Sequence, residues 1–127
     1  MILKIFTFTI LAVIIFFSPA EAKHKHLEKE YQSAWCKIGK MEHRLPDKKR
    51  VDCLTQYHAI EFDFAEKWAE AVGQALHYGL MTGRSPGIVL IIEKPKDILN
   101  YNLLLFLNEQ LRLGITVWKI TPAYIEK

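Results

Sequence analysis

The stretch Ile5 to Phe17 is apolar apart from Thr7 and Thr9, and it follows a single lysine, Lys4. An apolar head of this kind is either a secretory signal or a membrane anchor. The run is shorter than the ~20 residues that a spanning helix needs. It leads into Ser18-Pro19-Ala20-Glu21-Ala22, which ends in an Ala-x-Ala pattern. Charged start, apolar middle and small-residue end form the layout of a cleavable signal. The pattern predicts a signal peptide over 1–22, cleaved after Ala22, and one domain over 23–127. An uncleaved anchor is the alternative. Cleavage would leave no membrane anchor and a periplasmic or secreted protein. It would also remove Lys4 and Glu21 together, so the net charge of +3 is unchanged.

Half of the residues are hydrophobic, which excludes a globally disordered chain. The length allows one small domain. A mildly basic balance tolerates a phosphate-rich partner without demanding one. Cys36 and Cys53 are the only cysteines. Export would place them in an oxidising compartment, where such a pair commonly bridges. A zinc site would need more ligands at closer spacing, and there is no Cys-x-x-Cys. The pair is a disulfide candidate, with two buried free thiols as the alternative.

The periodicity predicts a helix over 26–38, with Leu27, Tyr31, Ala34 and Ile38 on one face. Short strands follow over 41–45, 50–55 and 59–64, separated by tight turns as in an antiparallel meander. A long helix over 65–82 is closed by Gly83. The run Ile88-Val89-Leu90-Ile91-Ile92 suits a strand buried on both faces. Asp97 is placed to cap a helix over 98–113, and a last strand covers 115–121. The order αβββαβαβ predicts an α/β domain with one mixed sheet flanked by helices. The helix over 98–113 is apolar nearly all round. That implies either burial against a second subunit, as in a homodimer, or packing on both the sheet and a neighbouring helix.

Strand alternation places Asp52 opposite Val51 and Cys53, and puts Glu61 and Asp63 on one face away from Ile60, Phe62 and Phe64. Three carboxylates thus sit inside otherwise apolar runs of adjacent strands. Converging carboxylates repel unless they are neutralised, and a hard divalent cation such as magnesium does this. On the following helix Lys67, Gln74 and Tyr78 fall within about 40° of one another, with Glu70 near the stripe. This stripe either faces the carboxylates or is an ordinary solvated face.

The arrangement resembles the PD-(D/E)xK nuclease superfamily, with its restriction-endonuclease-like αβββαβ core. The RecB-like and Holliday-junction-resolvase-like branches carry an acid on the second core strand. They have acid-x-Lys on the third strand, and Gln-x-x-x-Tyr on the next helix. Here stand Arg50-Val51-Asp52, Glu61-Phe62-Asp63 and Gln74-Ala75-Leu76-His77-Tyr78, with a further C-terminal helix and strand beyond the core. The resemblance covers about 28–93 and implies an exported bacterial nuclease that hydrolyses phosphodiester bonds of DNA or RNA. It implies magnesium or manganese held by Asp52 and Glu61, with Asp63 a further ligand. Gln74 and Tyr78 would position water, amine or phosphate. A first-helix acid would complete the site, Glu30 before Glu28. One departure stands out: Asp63 occupies the position of the lysine. Lys67, one helical turn on, would have to supply the amine.

Other features point less far. Lys23-His24-Lys25-His26 is a metal-capable but ordinarily loose chain end. Lys48-Lys49-Arg50 is a basic turn beside Asp52. His58 and His77 have no triad partner, and there is no Gly-x-Ser-x-Gly elbow. Two other readings remain open: a non-catalytic member of the same fold that binds a partner, and a structural periplasmic protein whose acids only make salt bridges.

Overall fold

A computed structural model describes residues 23–127; the expected signal and its cleavage site lie outside the described residues. The elements are α1 (Glu28–Trp35), β1 (Lys40–Arg44), β2 (Arg50–Leu54), β3 (His58–Phe64), a 3-10 turn (Ala65–Lys67), α2 (Trp68–Thr82), β4 (Ser85–Ile91), α3 (Asp97–Gln110), β5 (Thr116–Ile120) and a short 3-10 turn (Pro122–Tyr124). The domain is α/β, with a five-stranded sheet in the order β1-β2-β3-β4-β5. β1, β2 and β3 pair antiparallel, and β3, β4 and β5 pair parallel, so the sheet is mixed.

Two layers of side chains bury the sheet. Ile88 and Leu90 of β4 pack with Ala71, Val72 and Ala75 of α2 and Leu104 of α3. Val89 and Ile91 point the other way, to Tyr31 of α1 with Ile60, Phe62 and Ile120. The continuous apolar run of β4 is therefore explained by burial on both faces. β3 pairs with β4 over its full length, Glu61 opposite Ile88 and Asp63 opposite Leu90. Glu61 and Asp63 thus project toward α2.

Cys36 and Cys53 form a disulfide, which ties the end of α1 to β2. Gly39 lies against it: a Cβ there would stand 2.5 Å from the Cys53 sulfur and 2.8 Å from the Cys36 sulfur. Only a residue without a side chain fits that approach. The bridge also shortens the first helix, which stops at Trp35. Leu27 and Ile38, expected on its buried face, lie outside it and are 72% and 96% exposed.

Two further expectations are corrected. Asp97 does not cap α3. It is the first residue of that helix, and its buried carboxylate accepts the backbone N–H groups of Glu93 (2.9 Å) and Lys94 (3.0 Å), fixing the turn after β4. Val51 does not share a neighbourhood with Cys53. It packs with Leu45, Leu54, Ala59 and Tyr78, whereas Cys53 packs with Tyr31, Ile60 and Phe62. The pleat is broken at the residue between them, Asp52.

The segment before α1 is not loose. Glu93, its side chain 2% exposed, accepts hydrogen bonds from the Lys25 N–H (2.9 Å) and the Tyr31 hydroxyl (2.7 Å). His24 stacks on Phe64 at 3.5 Å and spans Glu66 and Glu93 with its two ring nitrogens. Burial alone would raise the Glu93 carboxyl, but these donors hold it below the ordinary value. A depressed carboxyl contributes stability above its unfolded pKa, and that contribution is lost as pH falls through the folded value. Glu93→Ala is therefore expected to free the segment. Tryptic cleavage after Lys25 should accelerate about tenfold at neutral pH, and the variant should lose less stability on acidification than the parent. Equal cleavage rates would show that the segment is held by other contacts.

Candidate functional site: carboxylates between the sheet and two helices

β2 and β3 pair at Cys53–Ile60 and Leu54–Ala59 and then part. At the parting point the Asp52 side chain reaches across, and its Oδ2 accepts the Phe62 N–H at 2.8 Å. Its carboxyl stands against that of Glu61. Glu61 and Asp63 are only 6% and 5% exposed, and the Asp63 Oδ1 accepts the N–H of Phe64 at 2.9 Å. Three carboxylates are thus gathered where two strands separate beneath α2.

The electrostatics follow from this crowding. Burial, and then the charge of Asp52, pushes Glu61 far above the carboxylate range. Burial also raises Asp52, against the opposing pull of the Phe62 N–H. Two carboxyls in contact cannot both ionise in such a site, so the pair shares a proton at neutral pH. Burial pushes Asp63 up to about 6, with Lys67 and the Phe64 N–H opposing. Glu28 rises to about 7, chiefly by burial, then by the charges of Asp52 and Asp63, with Lys67 again opposing.

Those couplings also place the helical residues. Lys67, at the end of the 3-10 turn, is exposed and acts on Asp63 and Glu28. Tyr78, buried on α2, sets its hydroxyl against Glu61 and is raised by burial and by that carboxyl. Gln74 lies one turn before Tyr78 on the same stripe. The stripe of Lys67, Gln74 and Tyr78 is therefore not simply a solvated face.

Glu30 is placed elsewhere. Its Oε2 accepts the Leu27 N–H at 2.6 Å, which closes the start of α1, and it approaches His26 at 3.8 Å. Glu28 is the first-helix acid that reaches the cluster. Two residues that sequence reasoning passed over also belong here, Gln32 and Glu42. Gln32 is one turn beyond Glu28 on the same face of α1, a spacing that could have revealed it. Glu42 left no such trace, because its place depends on an unusual backbone conformation. The basic turn Lys48-Lys49-Arg50 is held to α2 through Asp47, which His77 meets at 2.6 Å.

Among the described residues, no three histidine, cysteine, aspartate or glutamate side chains form a ready-made metal cage. The donor chemistry nevertheless suits a hard cation. Glu61 Oε2 and Gln74 Oε1 are buried and have no hydrogen-bond partner. Buried acceptors are rarely left unsatisfied, and oxygen-only donors of this kind fit magnesium or manganese. A divalent ion would replace the proton that Asp52 and Glu61 share. No family model, no curated protein and no solved structure matches the chain.

Proposed function

We propose that this protein is a magnesium- or manganese-dependent nuclease that hydrolyses phosphodiester bonds of DNA or RNA outside the cytoplasm, on a restriction-endonuclease-like core. The observation that carries the reading is the buried carboxylate group of Asp52, Glu61 and Asp63, with Glu61 Oε2 left without a partner beneath α2. The disulfide supports an oxidising compartment, periplasmic or extracellular.

Asp52 and Glu61 would hold the ion, with Asp63 beside them. When bound, it would polarise a phosphate oxygen and acidify a water. Lys67 would offset the negative charge that grows on the phosphate. Glu28, half-buried and within electrostatic reach of Asp52 and Asp63, would be placed to accept a proton from the water. Gln74 and Tyr78 would orient the water or the phosphate.

The test is incubation of residues 23–127 with DNA and with RNA, with magnesium, with manganese and with chelator. Cleavage is expected only with metal, and Asp52→Ala and Glu61→Ala should each reduce it by about 100-fold or more. No cleavage with either metal, and no metal-dependent rise in Tm, would overturn the proposal. One observation favours a second reading. Asp63 occupies the lysine position of the resembled family, so β3 itself brings no lysine to Asp52 and Glu61. That favours a protein that binds the ion without cutting, and a metal-dependent rise in Tm without cleavage would identify it.

A further inference from the structure

We infer that Gln32 is a positioning residue for Asp52: from α1 it holds open a break in the β1–β2 ladder, so that the Asp52 carboxylate can turn toward β3. Its functional meaning rests on the metal site proposed above; its geometry does not.

Gln32 is 3% exposed. Its Nε2 donates to the Asp52 carbonyl at 2.6 Å and to Glu42 Oε1 at 3.1 Å. β1 and β2 pair at Met41–Cys53 and again at His43–Val51, yet the intervening pair, Glu42 with Asp52, is missing. Glu42 adopts a φ of 55°, a left-handed conformation that a residue with a side chain rarely takes. On the other side, β2 has already parted from β3 at Asp52.

Asp52 therefore has no paired residue in either neighbouring strand. Its part-buried carbonyl takes its hydrogen bond from the amide of Gln32 instead. The second hydrogen of the same amide engages the Glu42 carboxylate, so one side chain holds both members of the broken pair. An unbroken ladder would keep Asp52 in the regular pleat. Released from it, the side chain reaches the Phe62 N–H at 2.8 Å. The same break accounts for Val51 and Cys53 packing in different clusters. Strain at Glu42 persists because the surrounding contacts over-determine it, as is common beside functional groups.

The test is Gln32→Met, which keeps the side-chain length and removes the donor. Two quantities are read by amide NMR: solvent exchange of the Phe62 N–H, and the apparent Kd for magnesium. The Phe62 amide is expected to exchange about tenfold faster or more. Magnesium affinity is expected to weaken by about 10- to 100-fold, the usual effect of losing a residue that orients a metal ligand. The Tm without metal should also fall, because the Asp52 carbonyl and the Glu42 carboxylate lose their donor. A residue that only satisfied a carbonyl would lower the Tm and leave both quantities unmoved, and that result would overturn the inference. Should Gln32→Met fail to fold, Gln32→Asn keeps the amide but is too short to span both partners, and the same Phe62 readout decides. If the parent protein binds no magnesium, the metal reading falls, while Phe62 exchange still judges Gln32.

Discussion

Glu61→Gln is expected to make the protein more stable and the proposed site inert. At pH 8 the parent must either keep a proton on the Asp52–Glu61 pair or bury two like charges in contact. A glutamine amide fills the same space, carries no charge and can donate to Asp52. Stability should rise by about 0.5–2 kcal/mol, the usual size of a single stabilising substitution. Metal-dependent cleavage should fall by about 100-fold or more, since the loss removes a proposed ligand outright. The pH dependence has a definite sign. The Glu61 carboxyl is raised in the folded protein, so the unfolded chain releases its proton first, near 4.5. Above that point the folded form binds more protons, and stability declines as pH rises. Glu28 and Asp63, raised to about 7 and about 6, act in the same direction. The parent should thus lose stability from about pH 4 upward, and Glu61→Gln should lose less. Magnesium at 100 times its Kd should restore about 2.7 kcal/mol to the parent at pH 8. Urea unfolding across pH, with and without magnesium, reads all three. A Glu61→Gln variant that is less stable than the parent at pH 8 would contradict the electrostatic account.

Breaking the Cys36–Cys53 bridge is the second large effect. The bridge closes a loop of sequence separation 17, and such a constraint contributes about 3 kcal/mol. For a small domain that is a large part of total stability. Cys36 ends the helix that carries Glu28 and Gln32, and Cys53 follows Asp52 directly. The bridge therefore fastens together the two elements that build one side of the site. Cys36→Ser/Cys53→Ser, or reduction of the parent, should lower the urea midpoint and weaken any metal response together. A midpoint unchanged after both thiols are shown to be free would mean that the bridge adds nothing to the fold.

Much of the architecture was legible because it rests on local periodicity. The αβββαβαβ order, the doubly buried β4 and the shared face of Glu61 and Asp63 follow from residue spacing. Spacing grouped Lys67, Gln74 and Tyr78 without deciding whether they face the carboxylates or solvent. What could not be read depends on contacts between distant residues. Alternation carried Val51 to the Cys53 side, but the ladder breaks at Asp52 because Gln32 intercepts its carbonyl. Helical spacing favoured Leu27 and Ile38 as core, but the disulfide and the Glu30–Leu27 closure cut α1 short at both ends. Glu30 and Glu28 look alike in a sequence, and only the hydrogen bond that occupies Glu30 separates them. Asp97 has the composition of a cap, yet a nearer pair of N–H groups claims it. The four residues before Leu27 look like a loose end, and Glu93 lies some seventy positions away in the chain.

That anchored beginning has a consequence for access. Lys23 to Leu27, with Phe64, wall a cavity of about 340 Å³ whose other lining residue is Glu28. Glu93 therefore keeps this cavity walled without lining it. Loosening the segment would open Glu28 to water, and its carboxyl, raised chiefly by burial, would fall back toward the ordinary value.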